Sequence, residues 1–189
     1  EATRICREDL NEVIAAFVQD KTAIERGLFD EELVRDQDDE FNYRLRATGG
    51  KILLNPEIKS EYTVRSSPGA LWRQYYQYGY WKVRVLQKHP FQMRPRQFVP
   101  PVFVLALLAG LGVALVSAWG LWLFGLVAVV YLLANLTASF WTAYKRGWKY
   151  LPFLSLVFSI LHVSYGLGFL VGLIRFSGRW KNRRGKVPV

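Results

Sequence analysis

Four carboxylates fall in five consecutive positions, Asp36-Gln37-Asp38-Asp39-Glu40, at the predicted start of a helix over about 37–47. Three chemistries suit such a run. The plainest is a solvated acidic first turn, which the helix macrodipole favours. The second is a general base: a carboxylate held rigidly at a helix start can take a proton from a hydroxyl. The third is a site for a hard cation, since oxygen ligands suit magnesium or manganese. Asp36-x-Asp38 has the spacing of an Asp-x-Asp pair, which is weak support for a metal when it stands alone. Glu40 and Arg44 are spaced i, i+4 and face each other on one side of the helix.

A second group lies over 67–88. Ser67-Pro68 is a helix start, with serine as N-cap and proline at the first position. The helix that follows carries Trp72, Tyr75, Tyr76, Tyr78, Tyr80 and Trp81. Its only charges are basic: Arg73, Lys82, Arg84 and Lys88. That composition suits a helix lying in the headgroup layer of a membrane. Aromatic residues interleaved with basic ones also suit single-stranded nucleic acid, and a plain core helix packs the same aromatics. The apolar runs that follow argue against nucleic acid as partner.

From Phe98 to Tyr144 the 189-residue chain has no Asp, Glu, Lys or Arg, and a second apolar run covers Leu151 to Ile174. The first run is long enough for two spans and the second for one, at about 20 residues each. The spans are expected near 99–118, 121–143 and 151–174. Trp119, Trp122, Trp141, Trp148 and Tyr150 fall near their ends, as interfacial aromatics do. His162, Asn135 and Thr137 are polar residues inside spans, expected to hydrogen-bond a neighbouring helix. Gly168-x-x-x-Gly172 permits close helix packing.

Charge divides along the chain. Residues 1–61 hold all fifteen acids and nine Lys/Arg, a net −6; residues 62–189 hold sixteen Lys/Arg and no acid, giving +16. Lys145, Arg146 and Lys149 lie between the second and third apolar runs, and Arg175, Arg179 and further basic residues follow the third. The positive-inside rule asks for both groups on the cytoplasmic face, which one full crossing between them forbids. Either the third run re-enters or one basic group is outside; three crossings are the expectation carried forward. The single cysteine, Cys6, excludes a disulfide scaffold and a Cys-rich zinc site.

Elements that would position the acidic run precede and follow it. Leu10, Val13, Ile14, Phe17 and Val18 predict an amphipathic helix over 9–26. Residues 27–32 read as a turn. Asp36 is placed to cap the acidic helix, and Gly49-Gly50 supply its left-handed stop. Residues 51–54 predict a short strand, and 61–65 another.

Three signals stand in order: Gly-Leu-Phe-Asp-Glu-Glu, then Gln-Asp-Asp-Glu-Phe-Asn-Tyr-Arg-Leu, then Gln-Tyr-Tyr-Gln-Tyr-Gly-Tyr-Trp-Lys. Together they resemble the C-terminal half of a membrane-bound family-2 glycosyltransferase of the succinoglycan exopolysaccharide type, over roughly residues 12–175. The resemblance implies an α/β fragment, the C-terminal part of a GT-A-type domain, followed by an α-helical transmembrane region. The implied organisation is an acceptor-side part (1–66), an interfacial helix and linker (67–97), transmembrane helices (98–175) and a basic tail (176–189).

The family's acidic motif matches Gln37-Asp38-Asp39-Glu40-Phe41, which makes Asp38 the implied catalytic base and Asp39 its rival one register away. Asp39, Glu40, Arg73, Gln74, Gln77, Tyr78, Trp81 and Lys82 are the implied acceptor-side residues. Of the Gln-x-x-Arg-Trp motif of processive synthases only Gln74 is kept, with Gln77 and Tyr78 in the other two places, which favours addition of a single sugar. The implied donor is a nucleotide-diphosphate sugar and the implied acceptor a polyprenyl-diphosphate-linked sugar at the inner membrane, with the transferase part cytoplasmic. The donor-binding half, with its magnesium or manganese, is expected only in a full-length parent, so no cofactor or metal is assigned to this chain and it is expected to be inactive alone. Two rival readings are a non-catalytic anchoring module and a small transporter-like scaffold. A transporter should show an internal repeat, and the apolar runs show none.

Overall fold

In a computed structural model the described residues are 29–50, 52 and 67–180. The chain divides into two compact units. The first contains the acidic helix and the second the apolar runs.

In the first unit, Asp30 opens a turn: its carbonyl accepts from Leu33 N–H at 3.0 Å and its Oδ1 from Glu32 N–H at 3.0 Å. This is an Asx-type turn, which aspartate favours because its side chain mimics a backbone acceptor. Helix α1 (Gln37–Ala47) follows. Asp36 stands at its N-cap position with φ 60° and ψ 20°, and its side chain makes no capping hydrogen bond. The expected cap is therefore absent. A capping side chain needs extended backbone at that position, and Asp36 is left-handed. The far end behaves as its glycines require. Gly49 N–H donates to Arg46 and Gly50 N–H to Leu45, at 3.1 and 2.9 Å, with Gly49 at φ +85°. Both bonds of a Schellman stop are present.

In the second unit, α2 (Pro68–Lys88) begins at Ser67, whose Oγ accepts from Ala70 N–H at 3.2 Å. Two short 3-10 turns lead to α3 (Val99–Ala114), followed by α4 (Ala118–Arg146) and α5 (Leu151–Arg175). Pro100 and Pro101 occupy the first turn of α3, where missing N–H groups cost least. Ser117 caps α4 through Trp119 N–H, and Gly147 at φ +122° ends it. Three helical stretches (Pro95–Ala114, Ala118–Arg146 and Trp148–Arg175) are long and apolar enough to cross a membrane. Their outward residues are large and apolar, among them Leu121, Trp122, Leu126 and Leu133. A lipid-facing surface explains this, and an aqueous one would not.

The α/β expectation is corrected: among the described residues every regular element is helical and no strand is present. Ile52 belongs to no regular element, and the rest of both predicted strands, like the predicted helix over 9–26, lies outside the described residues. The charge-free runs are helical because a helix closes every backbone hydrogen bond within one segment, which lipid surroundings demand.

Two packing relations organise the second unit. Helices α3 and α4 form an antiparallel hairpin. Phe103 stacks on Tyr131 with centroids 4.0 Å apart, Gly110 faces Phe124, and Gly120 abuts the backbone of Ala114. Helices α2 and α5 run parallel and in register. Ser67 and Leu71 face Phe153, Leu156 and Ile160 across a cleft of about 200 Å³. Further along, the Tyr76 carbonyl abuts Gly168, the Tyr165 carbonyl abuts Gly79, and the Tyr80 carbonyl lies 2.6 Å from where a β-carbon on Gly172 would sit. The Gly168-x-x-x-Gly172 pair thus brings two backbones together, and its partner is α2.

Candidate functional site

The first turn of α1 carries the acidic run. Phe41 packs its ring 5.2 Å from Phe29, and Leu33 is fully buried. This seating turns Glu40 inward, where it is buried and accepts two hydrogen bonds from Arg44, Nε to Oε1 at 2.9 Å and Nη2 to Oε2 at 3.1 Å. The Arg44 guanidinium also lies 5.5 Å from the Phe41 ring. Asp38 and Asp39 are exposed. The run therefore splits by role: Glu40 is a structural anchor, while Asp38 and Asp39 present carboxylates on a helix start that the anchor holds still. Among the described residues no group of three His, Cys, Asp or Glu is arranged to hold a metal.

The other predicted site residues are on α2. Gln74 Nε2 donates to Tyr78 Oη at 2.8 Å, joining two of them one turn apart. Gln77 is half-buried and Arg73 is exposed. Trp81 packs on Phe176, with centroids 5.7 Å apart, beside Tyr80 at 4.9 Å. Lys82 is buried, as are Arg84 and Lys88. Arg84 donates to Gln87 Oε1 at 3.0 Å, and Gln87 Nε2 donates to the Phe176 carbonyl at 2.8 Å. Gln87 and Phe176 were not legible as site residues, because their partnership joins positions 89 apart. The only signal was the basic-aromatic composition of both helix ends. Asp38, Asp39 and Glu40 belong to the first unit, and the α2 residues to the second.

A polar junction also links α4 to α5. Asn135 is buried and its Nδ2 lies 3.0 Å from Ser159 Oγ and 3.2 Å from both the Ser155 carbonyl and Tyr131 Oη. Ser139 Oγ donates to Asn135 Oδ1 at 3.2 Å, and Tyr131 Oη lies 3.2 Å from His162 Nδ1. His162 and Asn135 thus bond to a neighbouring helix, as expected. Thr137 does not: it is exposed and donates to its own helix at Leu133.

Two curated proteins are similar to the chain. The succinoglycan biosynthesis protein ExoA of Rhizobium meliloti (strain 1021) is 26% identical over 153 residues, covering 81% of this chain and 45% of the relative. The dolichyl N-acetyl-alpha-D-glucosaminyl phosphate 3-beta-D-2,3-diacetamido-2,3-dideoxy-beta-D-glucuronosyltransferase of Methanococcus voltae is 28% identical over 154 residues, covering 82% and 44%. The chain resembles glycosyltransferases. It spans about half the length of the curated relatives it matches. No family model and no solved structure matches it.

Proposed function

We propose that this chain is the acceptor-side and membrane part of an inverting family-2 glycosyltransferase. The donor is a nucleotide-diphosphate sugar and the acceptor a polyprenyl-diphosphate-linked sugar at the cytoplasmic face of the inner membrane, with exopolysaccharide as the product class. One observation carries the reading: similarity to two proteins of glycan synthesis continues over four-fifths of the chain. The geometry of α1 supports it, since Asp38 is exposed two residues before Glu40, which Arg44 pairs with inside the same helix.

In the reaction the Asp38 carboxylate takes the proton of the acceptor hydroxyl. The freed oxygen pair attacks the anomeric carbon from the face opposite the leaving group. The bond to the nucleoside diphosphate breaks and its electrons leave with the phosphate oxygen, so configuration inverts. Exposed Arg73 of α2 provides charge complementary to a lipid diphosphate, whose oxygens its planar guanidinium suits.

The test uses membranes containing the full-length parent. Asp38→Asn lowers transfer to the lipid-linked acceptor about 10²- to 10⁴-fold, the range a general base supplies, with donor binding by calorimetry unchanged. Asp39→Asn leaves most turnover. Full activity of Asp38→Asn would remove it from the role, and loss only in Asp39→Asn would move the role one residue on.

A further inference from the structure

The contacts between helices fix heights along the α3–α4 hairpin. Phe103 stands opposite Tyr131, Gly110 opposite Phe124 and Ala114 opposite Gly120. The register is constant, so Val99 at the start of α3 stands level with Asn135. The last eleven residues of α4, Leu136 to Arg146, extend beyond that level. They end in Lys145 and Arg146, and the residues before α3 include Arg94 and Arg96. Beyond that level each leg meets its first charge, Arg96 three residues before Val99 and Lys145 ten residues after Asn135.

Helix α5 stays at that level. Ser155 and Ser159 meet Asn135, level with residue 99 of α3. The Phe158 carbonyl and His162 meet Tyr131, level with residue 103. Gly166 meets the Pro100 carbonyl and Val104, each 2.6 Å from where a β-carbon on it would lie. Phe169 meets Phe98, with centroids 5.9 Å apart. From Ser155 to Phe169 the helix advances about 21 Å along its axis, while its neighbours on the hairpin stay within residues 98–104, about 9 Å of rise at 1.5 Å per residue. A helix crossing beside α3 would have climbed the full distance.

Helix α2 agrees. It lies parallel to α5 from Leu71 beside Ile160 to Gln87 bonded at Phe176. Its charges at Arg73, Lys82, Arg84 and Lys88 leave no uncharged stretch close to the roughly 20 residues a crossing needs. Two helices in register over that length share one orientation. The pair keeps apolar surface outward at Phe153, Leu156 and Ile174 of α5, and of the α2 cations Arg73 is exposed.

We infer that α5, though long and apolar enough to span, lies with α2 across the base of the α3–α4 hairpin as a two-helix platform in the anionic headgroup layer, so that the chain crosses the membrane twice. Lys145, Arg146 and Lys149 then share a face with Arg175 and Arg179. The conflict with the positive-inside rule disappears, and that shared face is cytoplasmic.

The test is side-specific labelling of the chain in sealed membrane vesicles, with Cys6→Ser removing its one cysteine. Single cysteines replace Val116 in the α3–α4 turn, Lys149 before α5 and Ser177 after it, all described as exposed. An impermeant maleimide labels Lys149→Cys and Ser177→Cys from one face and Val116→Cys from the other. Labelling of Lys149→Cys and Ser177→Cys from opposite faces overturns the inference. A reporter fused after Val189 reads the same question without a cysteine at Ser177. Reporter activity on the Lys149 face supports two crossings, and activity on the Val116 face refutes them.

Discussion

Among neighbouring carboxylates on one helix turn, packing decides which is available. Glu40 is held inward by the seat of Phe41, and Asp38 and Asp39 are left outside. The i, i+4 pairing of Glu40 with Arg44 was legible in the spacing. Its burial was not, because burial depends on Phe29 and Leu33, which reach the helix through a turn. Nor was the left-handed Asp36, whose residue type argued for an ordinary cap. Arg44→Met keeps the aliphatic stem and strips the buried carboxylate of its partner. The loss is about 2 kcal/mol, below the full cost of a buried pair because Arg44 is partly exposed. That predicts roughly thirtyfold faster amide exchange across Gln37–Ala47, read by mass spectrometry. Unchanged exchange would show that the pair anchors nothing.

At the scale of elements, glycine sets how closely α2 and α5 approach. A β-carbon at Gly168 would overlap the Tyr76 carbonyl, and one at Gly79 the Tyr165 carbonyl. Backbone cannot step aside as a flexible side chain can. Gly168→Ala and Gly79→Ala are each expected to cost roughly 1–3 kcal/mol, as overpacking does. The expected readout is loss of exchange protection along Pro68–Lys88. Gly69→Ala is the control, because nothing lies within 4 Å of its added methyl. Equal protection in all three would mean that the helices do not approach so closely. The sequence displayed the small-residue spacing of Gly168 and Gly172 but not the partner helix. Small residues specify a distance, and the identity of the neighbour comes from a register made over eighty-six to ninety-two positions.

For the whole molecule, apolar length marked out which segments meet lipid, and it could not distinguish a helix that pierces the bilayer from one that lies along it. Length is common to both, and the neighbours of Ser155, His162, Gly166 and Phe169 separate them. The charge division, −6 over residues 1–61 and +16 thereafter, predicts that the chain partitions to vesicles containing anionic lipid far better than to neutral ones. Raising salt should erase much of the difference, as measured by flotation. Equal partitioning into both would deny the basic half its electrostatic role. A further consequence follows from the first leg of the hairpin. Val99–Ala114 has 16 residues, about 24 Å of helix, against a hydrocarbon core of about 30 Å. A leg that short draws the two leaflets together around itself. The protein is thereby matched to thin membranes, and lengthening the acyl chains of the surrounding lipid should slow the full-length parent with no change in any protein side chain.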